Sequence, residues 1–238
     1  MQITHVEVSP MELGLRVPYR TAYHAEAGVE SVGVVFIRIE TRQGDVAWGC
    51  AAFDPAITGE TLEGVTRVCQ ACARRARDLN PLNIEHALTE LGRLTTEAPS
   101  AQCAFDIALH DLLGLNAGMP LYRFLGGYRH RIQTSIAINL GSVRETVEMA
   151  RARAAQGFRI LKIKGGLSPE EDVRRVRAVH RALPELTIRL DADQGYTIQQ
   201  ALEIARALEG RLEMLEQPTP AADLDGLAEV TEHSPIPI

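Results

Sequence analysis

The sequence predicts two domains, an α+β domain in residues 1–125 and an α/β domain in residues 126–238. Strand-like segments come first and are followed by a long stretch of helical periodicity, which is the order expected of an α+β domain. Beyond the turn-forming pair Gly126 and Gly127, strand-like and helix-like segments alternate regularly. This alternation predicts right-handed βα units around a parallel sheet.

The first domain begins with segments that are typical of strands. Residues 2–8 alternate apolar and polar side chains, residues 32–40 are mostly β-branched and apolar, and the segment VAWGCAAF follows the turn RQGD. We therefore expect a three-stranded antiparallel sheet. The segment VPYRTAYHAEAGVES follows the first strand and is too long for a tight hairpin, which makes it a candidate functional loop. A second candidate loop, FDPAITGE, follows the third strand.

Helical periodicity replaces the strand patterns from Thr61 to about Leu125. We expect Ser100 to be the N-cap of the last of these helices, because its hydroxyl can accept a hydrogen bond from a free amide of the first turn. The predicted helices span residues 61–78, 83–94 and 100–116.

The second domain contains four strand–helix pairs in succession. The strands are QTSIAINL, FRILKIK, LTIRLDA and LEMLEQP, and the helices that follow them span residues 142–156, 168–183, 197–209 and 220–233. Four such units make half of an eight-stranded barrel of the TIM type.

The composition excludes several classes of protein. A net charge of -6 gives no basic field for nucleic acid. No stretch approaches the roughly 18 apolar residues of a membrane span, and the N-terminal segment MQITHVEVSPMEL lacks the pattern of a signal peptide. We therefore expect a cytoplasmic protein without nucleic-acid or membrane partners. Cys69 and Cys72 form a CxxC inside a helical stretch with no second metal-binding pair, which favours core packing.

Charged residues end three successive strands of the second domain. Lys162 and Lys164 end its second strand, Asp191 and Asp193 end its third, and Glu216 ends its fourth. Side chains two residues apart on a strand share a face, and barrel enzymes place their chemistry at the C-terminal ends of the strands. One such motif alone is more simply a solvated strand end, but three in succession favour an active site.

These residue types suit the removal of a proton beside a carboxylate. Two lysines about 6 to 7 Å apart on a strand disfavour each other's protonation, and burial does the same, so one could be neutral near pH 7 and act as a base. Carboxylates on neighbouring strands suit a hard cation such as Mg²⁺. The cation would stabilise the enediolate that forms when the α-proton leaves.

The succession KIK, DADQGYT and EQP resembles the muconate lactonizing enzyme branch of the enolase superfamily, and the resemblance covers the whole chain. It implies an α+β N-terminal capping domain followed by an α/β barrel of the modified (β/α)7β kind, of which about the first four βα units are present. It also implies that the two candidate loops close over the substrate.

The resemblance assigns roles to the charged strand ends. It implies that Lys164 is the proton-abstracting base, that Lys162 is its electrostatic partner near the substrate carboxylate, and that Asp191 and Glu216 are two ligands of a Mg²⁺ cofactor. Asp193 stands where the family commonly has asparagine. Two interpretations of Asp193 stay open: it contacts the metal ligands without binding the metal itself, or it pairs with Lys164.

The neighbouring positions concern the surroundings of the metal and the substrate. Gln194 continues a run similar to that of the dipeptide epimerases and is expected beside Asp193, around the metal ligands. Cys50 replaces a glutamate that is frequent in relatives, and we favour strand-end packing over a nucleophilic role. Relatives selective for Ala-Glu carry a loop arginine at about the position of His24, so a hydrophobic or mixed dipeptide is an equal expectation. The candidate substrate contacts in the loops are Arg20, Tyr23, His24 and Ile57.

The resemblance favours dipeptide epimerisation through an enolate intermediate. The alternatives are N-acylamino acid racemisation, o-succinylbenzoate synthesis, a muconate-type cycloisomerisation and a lyase of the sugar-acid dehydratase type. We expect a homo-oligomer that acts on a small-molecule carboxylate, either a dipeptide or an N-acylamino acid. Outside the enzymes, the alternative is an inactive fragment that serves only as an association module.

In the family, the third metal ligand is an acidic residue on the fifth strand, and this sequence ends at Ile238, about where that residue would be expected. The sixth-strand lysine that faces the first base and the closing strands also lie beyond it. Half a barrel would leave strand edges exposed, so we expect a longer protein that is inactive without its remainder, or else a chain completed by a partner. An intact mass above the 26.1 kDa of this sequence supports the first expectation, and a mass equal to it contradicts that expectation.

Overall fold

The computed structural model describes residues 1–26 and 28–238, which form two compact units. The first unit comprises Met1–Arg16 and Glu30–His130, and the second comprises Val17–Val29 and Arg131–Ile238. The predicted fold class is confirmed, because an antiparallel sheet with helices is followed by four strand–helix pairs on a parallel sheet. No helix in the described part of the chain combines the length and the apolar character needed to cross a membrane.

The antiparallel sheet has the strand order β1-β2-β3, and β2 and β3 pair with Phe36 opposite Cys50. The elements of residues 1–130 are β1 (Ile3–Tyr19), β2 (Val29–Thr41), β3 (Val46–Ala52), α1 (Pro55–Thr58), α2 (Leu62–Ala76), α3 (Ile84–Gly92), α4 (Pro99–Asn116) and α5 (Leu121–Phe124).

The first strand is much longer than the predicted 2–8, because apolar residues continue to alternate with other residues from Met11 to Val17. The first three residues of the segment expected to be a loop, at positions 17–19, are therefore strand. The remainder contains a short 3-10 helix, Ala22–His24.

The first unit is held together by a core between its sheet and its helices. A Cβ on Gly49 of β3 would lie 1.8 Å from the carbonyl oxygen of Ala104 on α4, so only glycine permits this approach of strand to helix. Cys69 and Cys72 of α2 are fully buried in this core. Burial raises the pKa of Cys69 to about 12 and that of Cys72 to about 11, which fits a role in core packing.

The prediction that Ser100 caps the third long helix is wrong. Pro99 occupies the first turn, so α4 begins one residue earlier and Ala98 is its N-cap, with no side-chain hydrogen bond of its own. The carboxylate of Glu60 takes over this role by accepting hydrogen bonds from the Ser100 amide at 3.1 Å and its hydroxyl at 2.5 Å. A residue 40 positions away in sequence thus stabilises the start of the helix.

The second unit has a parallel sheet with the strand order β4-β5-β6-β7. Its described strands and helices are β4 (Ser135–Ile138), α6 (Val143–Ala155), β5 (Ile160–Lys164), α7 (Pro169–Ala182), β6 (Thr187–Asp191), α8 (Ile198–Ala207), β7 (Met214–Glu216) and α9 (Leu224–His233). Ser142 and Thr197 form capping boxes at α6 and α8, which explains why both helices begin within one residue of the predicted position.

A buried polar cluster fixes the turn that follows β5. Asp172 and Arg175 of α7 and Tyr196 of the β6–α8 turn are each at most 2% exposed. The Asp172 carboxylate pairs with Arg175 and accepts hydrogen bonds from the Tyr196 hydroxyl and, at 2.9 Å, from the Gly166 amide. Arg175 also donates to the Lys164 carbonyl oxygen at 2.7 Å. The cluster therefore attaches the end of β5 to a helix and to the next turn.

We predict that Asp172→Ala destabilises the protein by about 3 to 5 kcal/mol, because it leaves the buried Arg175 charge without its partner. Glu171→Ala is the matched control, since it removes the carboxylate of an exposed pair with Arg174 at the same i,i+3 spacing on the same helix. The control should cost no more than about 1 kcal/mol. Urea unfolding followed by circular dichroism measures both, and equal losses would contradict the prediction.

Candidate functional site

Three of the charged strand ends lie in one row across the parallel sheet. Lys164 of β5 is the register partner of Asp191 on β6, and Asp191 is the partner of Glu216 on β7. Each is the last residue of its strand. Parallel strands bring their C-terminal ends to one edge, so the row follows directly from the register. The structure thus brings together the residues that the sequence singled out.

Lys162 bridges the two carboxylates of this row. Its ammonium nitrogen lies 2.9 Å from Asp191 Oδ2 and 2.8 Å from Glu216 Oε2. The Asp191 side chain is 5% exposed and that of Glu216 is 41% exposed. The row therefore runs from a buried carboxylate to one that solvent reaches.

Lys164 lies between Asp191 and Asp193. Its ammonium nitrogen is 2.7 Å from Asp191 Oδ2 and 2.8 Å from Asp193 Oδ1, and its side chain is 18% exposed. Asp191 also accepts a hydrogen bond from the Asp193 amide at 3.2 Å, through its other oxygen. Of the two positions left open for Asp193, the contact with Lys164 is the one that the side chain makes.

The pKa values of the lysines are opposite to expectation. Burial by itself lowers the pKa of Lys164, but its hydrogen bonds to Asp191 and Asp193 outweigh burial and raise that pKa above its ordinary value. The pKa of Lys162 is raised in the same way, burial being outweighed by Glu216 and Asp191. The expectation of a neutral lysine considered the mutual repulsion of the two amines and their burial. It did not include three carboxylates within hydrogen-bond distance.

The two central aspartates respond in opposite directions. Burial would raise the pKa of Asp191, but hydrogen bonds from Lys164 and Lys162 lower it below the ordinary value. Burial raises the pKa of Asp193, and the nearby charge of Asp191 adds to that effect. Asp191 is therefore the carboxylate held most firmly in its charged form.

The donor set fits a hard divalent cation in part. Asp191 and Glu216 approach one cationic group, the Lys162 ammonium, within 3 Å, which shows that oxygens of both can contact a single small cation. Two ammonium groups face three carboxylates, so the cluster has an excess of negative charge. Within the described residues, no group of three or more His, Cys, Asp or Glu side chains is arranged to hold a metal. Asp191 and Glu216 would thus supply only part of the ligands of such a cation.

The candidate substrate contacts of the first loop lie in the second unit. Tyr23 and its neighbour Ala22 form hydrogen bonds with residues that follow Asp191. The Tyr23 hydroxyl accepts a hydrogen bond from Gln194 Nε2, and the Ala22 amide donates to Asp193 Oδ2 at 3.4 Å. His24 Nδ1 is 3.1 Å from the Thr21 hydroxyl, and its ring meets that of Tyr19 edge-on.

The remaining candidates are Arg20, Ile57 and Cys50. Arg20 is exposed, and its carbonyl oxygen accepts a hydrogen bond from the Leu140 amide at 3.2 Å. Ile57 lies in α1 of the first unit and is 57% exposed. Cys50 is half-buried in β3, and burial together with Cys103 raises the pKa of its thiol, the reverse of what an activated nucleophile needs.

Two features of the site were missed at the level of sequence. The first is the bond from Arg175 to the Lys164 carbonyl, for which the sequence offers no signal beyond an i,i+3 charge pair on a helix. The second feature, the rarity of lysine, could have been read from the sequence. The chain has 25 lysines and arginines, and Lys162 and Lys164 are its only lysines.

Both parts of the chain match known families. Residues 3–126 match the family described as the mandelate racemase / muconate lactonizing enzyme N-terminal domain, and residues 145–238 match the enolase C-terminal domain-like family. The chain is 34% identical over 233 residues to a hydrophobic dipeptide epimerase of Enterococcus faecalis, covering 97% of this chain and 65% of that protein. It is 32% identical over 243 residues to an L-Ala-D/L-Glu epimerase of Clostridium acetobutylicum, covering 100% and 67%.

A solved structure agrees with these relationships. The dipeptide epimerase of Enterococcus faecalis in complex with Mg and the dipeptide L-Leu-L-Tyr superposes with a TM-score of 0.94 at 34% identity, covering 99% of this chain and 66% of that one. The chain therefore spans about two thirds of the length of the relatives it matches. It belongs to the muconate lactonizing enzyme branch of the enolase superfamily and is similar to its dipeptide epimerases.

Proposed function

We propose that the protein is an epimerase of dipeptides, in which one group removes the proton on the carbon next to the substrate carboxylate and a second group delivers a proton to the opposite face. One observation carries the proposal: Lys164, Asp191 and Glu216 end adjacent parallel strands in register, with the Lys164 amine 2.7 Å from Asp191. A proton acceptor thus lies beside carboxylates suited to a cation.

In this proposal Lys164 takes the α-proton from one face of the substrate. Its amine must be neutral to do so, and the carboxylates that now stabilise the ammonium form must then be engaged elsewhere. Asp191 has that alternative, because with Glu216 it would hold Mg²⁺, the group that when bound supplies stabilisation of the enolate charge. Lys162 stays protonated between Asp191 and Glu216 and attracts the substrate carboxylate.

The dipeptide as substrate is supported by the relatives, two of which are epimerases of different dipeptides. The side chains that would select among dipeptides include Tyr23 and His24, which lie in the segment next to Asp193 and Gln194. Tyr23 offers an aromatic surface and a hydroxyl, and His24 offers a ring that gains charge on protonation. Homo-oligomer formation and a cytoplasmic location stay predictions.

We predict that Lys164→Ala lowers α-proton exchange from one face by about 10²- to 10⁴-fold, the usual contribution of a general base. The protein at its natural full length is incubated with Mg²⁺ and a dipeptide library in D₂O, and mass spectrometry detects one-unit gains. Lys164→Arg should be equally inactive, because arginine keeps the positive charge but does not release its proton at neutral pH.

The matched control for this experiment is Arg206→Ala, on the last turn of α8, which should leave the exchange rate unchanged. Exchange that persists in both Lys164 variants would contradict the assignment of the base. Exchange with N-succinylamino acids but with no dipeptide would contradict the substrate and leave the proton chemistry intact.

We predict that Mg²⁺ shifts the NMR signals of both lysines in the chain, since Asp191 contacts both amines. Labelling with lysine carrying ¹³C at Cε gives two signals from residues 1–238, because this sequence contains two lysines. Asp191→Asn should weaken the apparent Mg²⁺ affinity at least about tenfold, whereas Asp225→Asn on exposed α9 should not change it. Signals that do not respond to millimolar Mg²⁺ would contradict binding at this row.

A further inference from the structure

The backbone beside the site is held in an unusual conformation. Among the described residues, those other than glycine with positive φ are Asp193 (44°), Gln194 (68°) and Gln217 (37°). The three occur in two turns that contact each other, because the Gln194 amide donates to the Gln217 carbonyl oxygen at 2.9 Å. Left-handed backbone is unfavourable for residues with a side chain and is kept where surrounding contacts enforce it, commonly near functional sites.

Gln194 uses both ends of its side-chain amide. Its Oε1 accepts a hydrogen bond from the Ala221 amide at 2.6 Å, and its Nε2 donates to the Tyr23 hydroxyl. A backbone amide can only donate, so Ala221 fixes the oxygen of Gln194 on its own side and directs the NH₂ group toward Tyr23. The side chain therefore joins the turn after β7 to the segment Thr21–His24.

Asp193 joins the same segment to Lys164. Its Oδ1 accepts a hydrogen bond from the Lys164 ammonium at 2.8 Å, and its Oδ2 accepts from the Ala22 amide at 3.4 Å. The two oxygens belong to one planar carboxylate. A displacement of the Ala22 backbone that rotates this plane would therefore change the direction from which Lys164 is held.

The turns next to Lys164 and Asp191 are closely packed against each other. A Cβ on Gly166 would lie 2.1 Å from the Ala192 carbonyl oxygen, and one on Gly195 would lie 2.0 Å from the Gly166 carbonyl oxygen. The turns after β5 and β6 thus touch through their backbones. Of the two carboxylates that contact the amine, Asp193 is the one whose other oxygen meets the loop segment.

We propose that Asp193, Gln194, Ala22 and Tyr23 form a loop clamp, in which the first two hold the segment Thr21–His24 and Asp193 couples the position of that segment to the amine of Lys164. Asp193 is then a positioning residue, and this second part rests on the proposed function of Lys164. Tyr23 and His24 are candidate substrate contacts, so a seated loop and an aligned base would occur together.

Hydrogen–deuterium exchange tests the clamp without reference to catalysis. Gln194→Ala and Tyr23→Phe each remove the hydrogen bond between these two side chains, so deuterium uptake by peptides covering residues 20–24 should become about three- to tenfold faster. Gln199→Ala is the matched control, because it removes an exposed hydrogen bond to Glu203 on α8. Unchanged uptake in both clamp variants overturns the proposal.

Steady-state kinetics of the natural full-length protein test the coupling to Lys164. Asp193→Ala should lower kcat about 10- to 100-fold with KM changed by no more than about twofold, as for a misaligned catalytic group. Asp193→Asn keeps an oxygen that accepts a hydrogen bond and should restore part of kcat and of the loop protection. Equal melting temperatures exclude a general loss of structure.

The outcomes separate the two proposals. Faster loop exchange with unchanged kcat in Asp193→Ala overturns the positioning role and supports a clamp that only orders the loop. If the wild-type protein exchanges no α-proton with any substrate tested, the proposed function fails, while deuterium uptake still decides whether the clamp exists.

Discussion

The structure of the site depends on the in-register parallel pairing of β5, β6 and β7. That pairing places Lys164, Asp191 and Glu216 side by side, and no loop conformation is needed to bring them together. A shift of one residue in any of these strands would turn the charged side chain to the other face of the sheet. Residues of these strands are part of the buried core of the second unit. The burial of apolar surface that stabilises this core therefore also stabilises the geometry of the site.

The register alone does not fix the ends of the strands, where the backbone leaves the sheet. The buried cluster of Asp172, Arg175 and Tyr196 fixes the end of β5, because it forms hydrogen bonds with the carbonyl of Lys164 and with the amide of Gly166. A buried ion pair seldom stabilises a protein more than apolar packing of the same volume would. Here the buried cluster holds the backbone turn after β5 in one orientation, next to the lysine proposed to move a proton.

The sequence allowed the charged row to be predicted because the C-terminal ends of parallel strands must meet, whatever the rest of the fold does. Features that depend on distant neighbours were not predictable. The start of α4 is stabilised by Glu60, which lies between α1 and α2. The preference for serine at helix N-caps, which considers only neighbours in sequence, indicated Ser100 instead. The predicted direction of the lysine pKa shifts was wrong for the same reason. The spacing along β5 indicates that the two amines are close, but it does not indicate the carboxylates around them.

The choice of lysine at positions 162 and 164 carries more information than its charge. Elsewhere this sequence uses arginine for every basic residue, including the buried Arg175. A guanidinium would form stronger, bidentate pairs with Asp191 and Glu216, so a purely structural ion cluster gives no reason to prefer lysine. Arginine, however, keeps its proton at any neutral pH, whereas a lysine amine can release it when its surroundings change. The two exceptions to the arginine rule therefore coincide with the place where the fold brings carboxylates together, and this argues for proton transfer at Lys164.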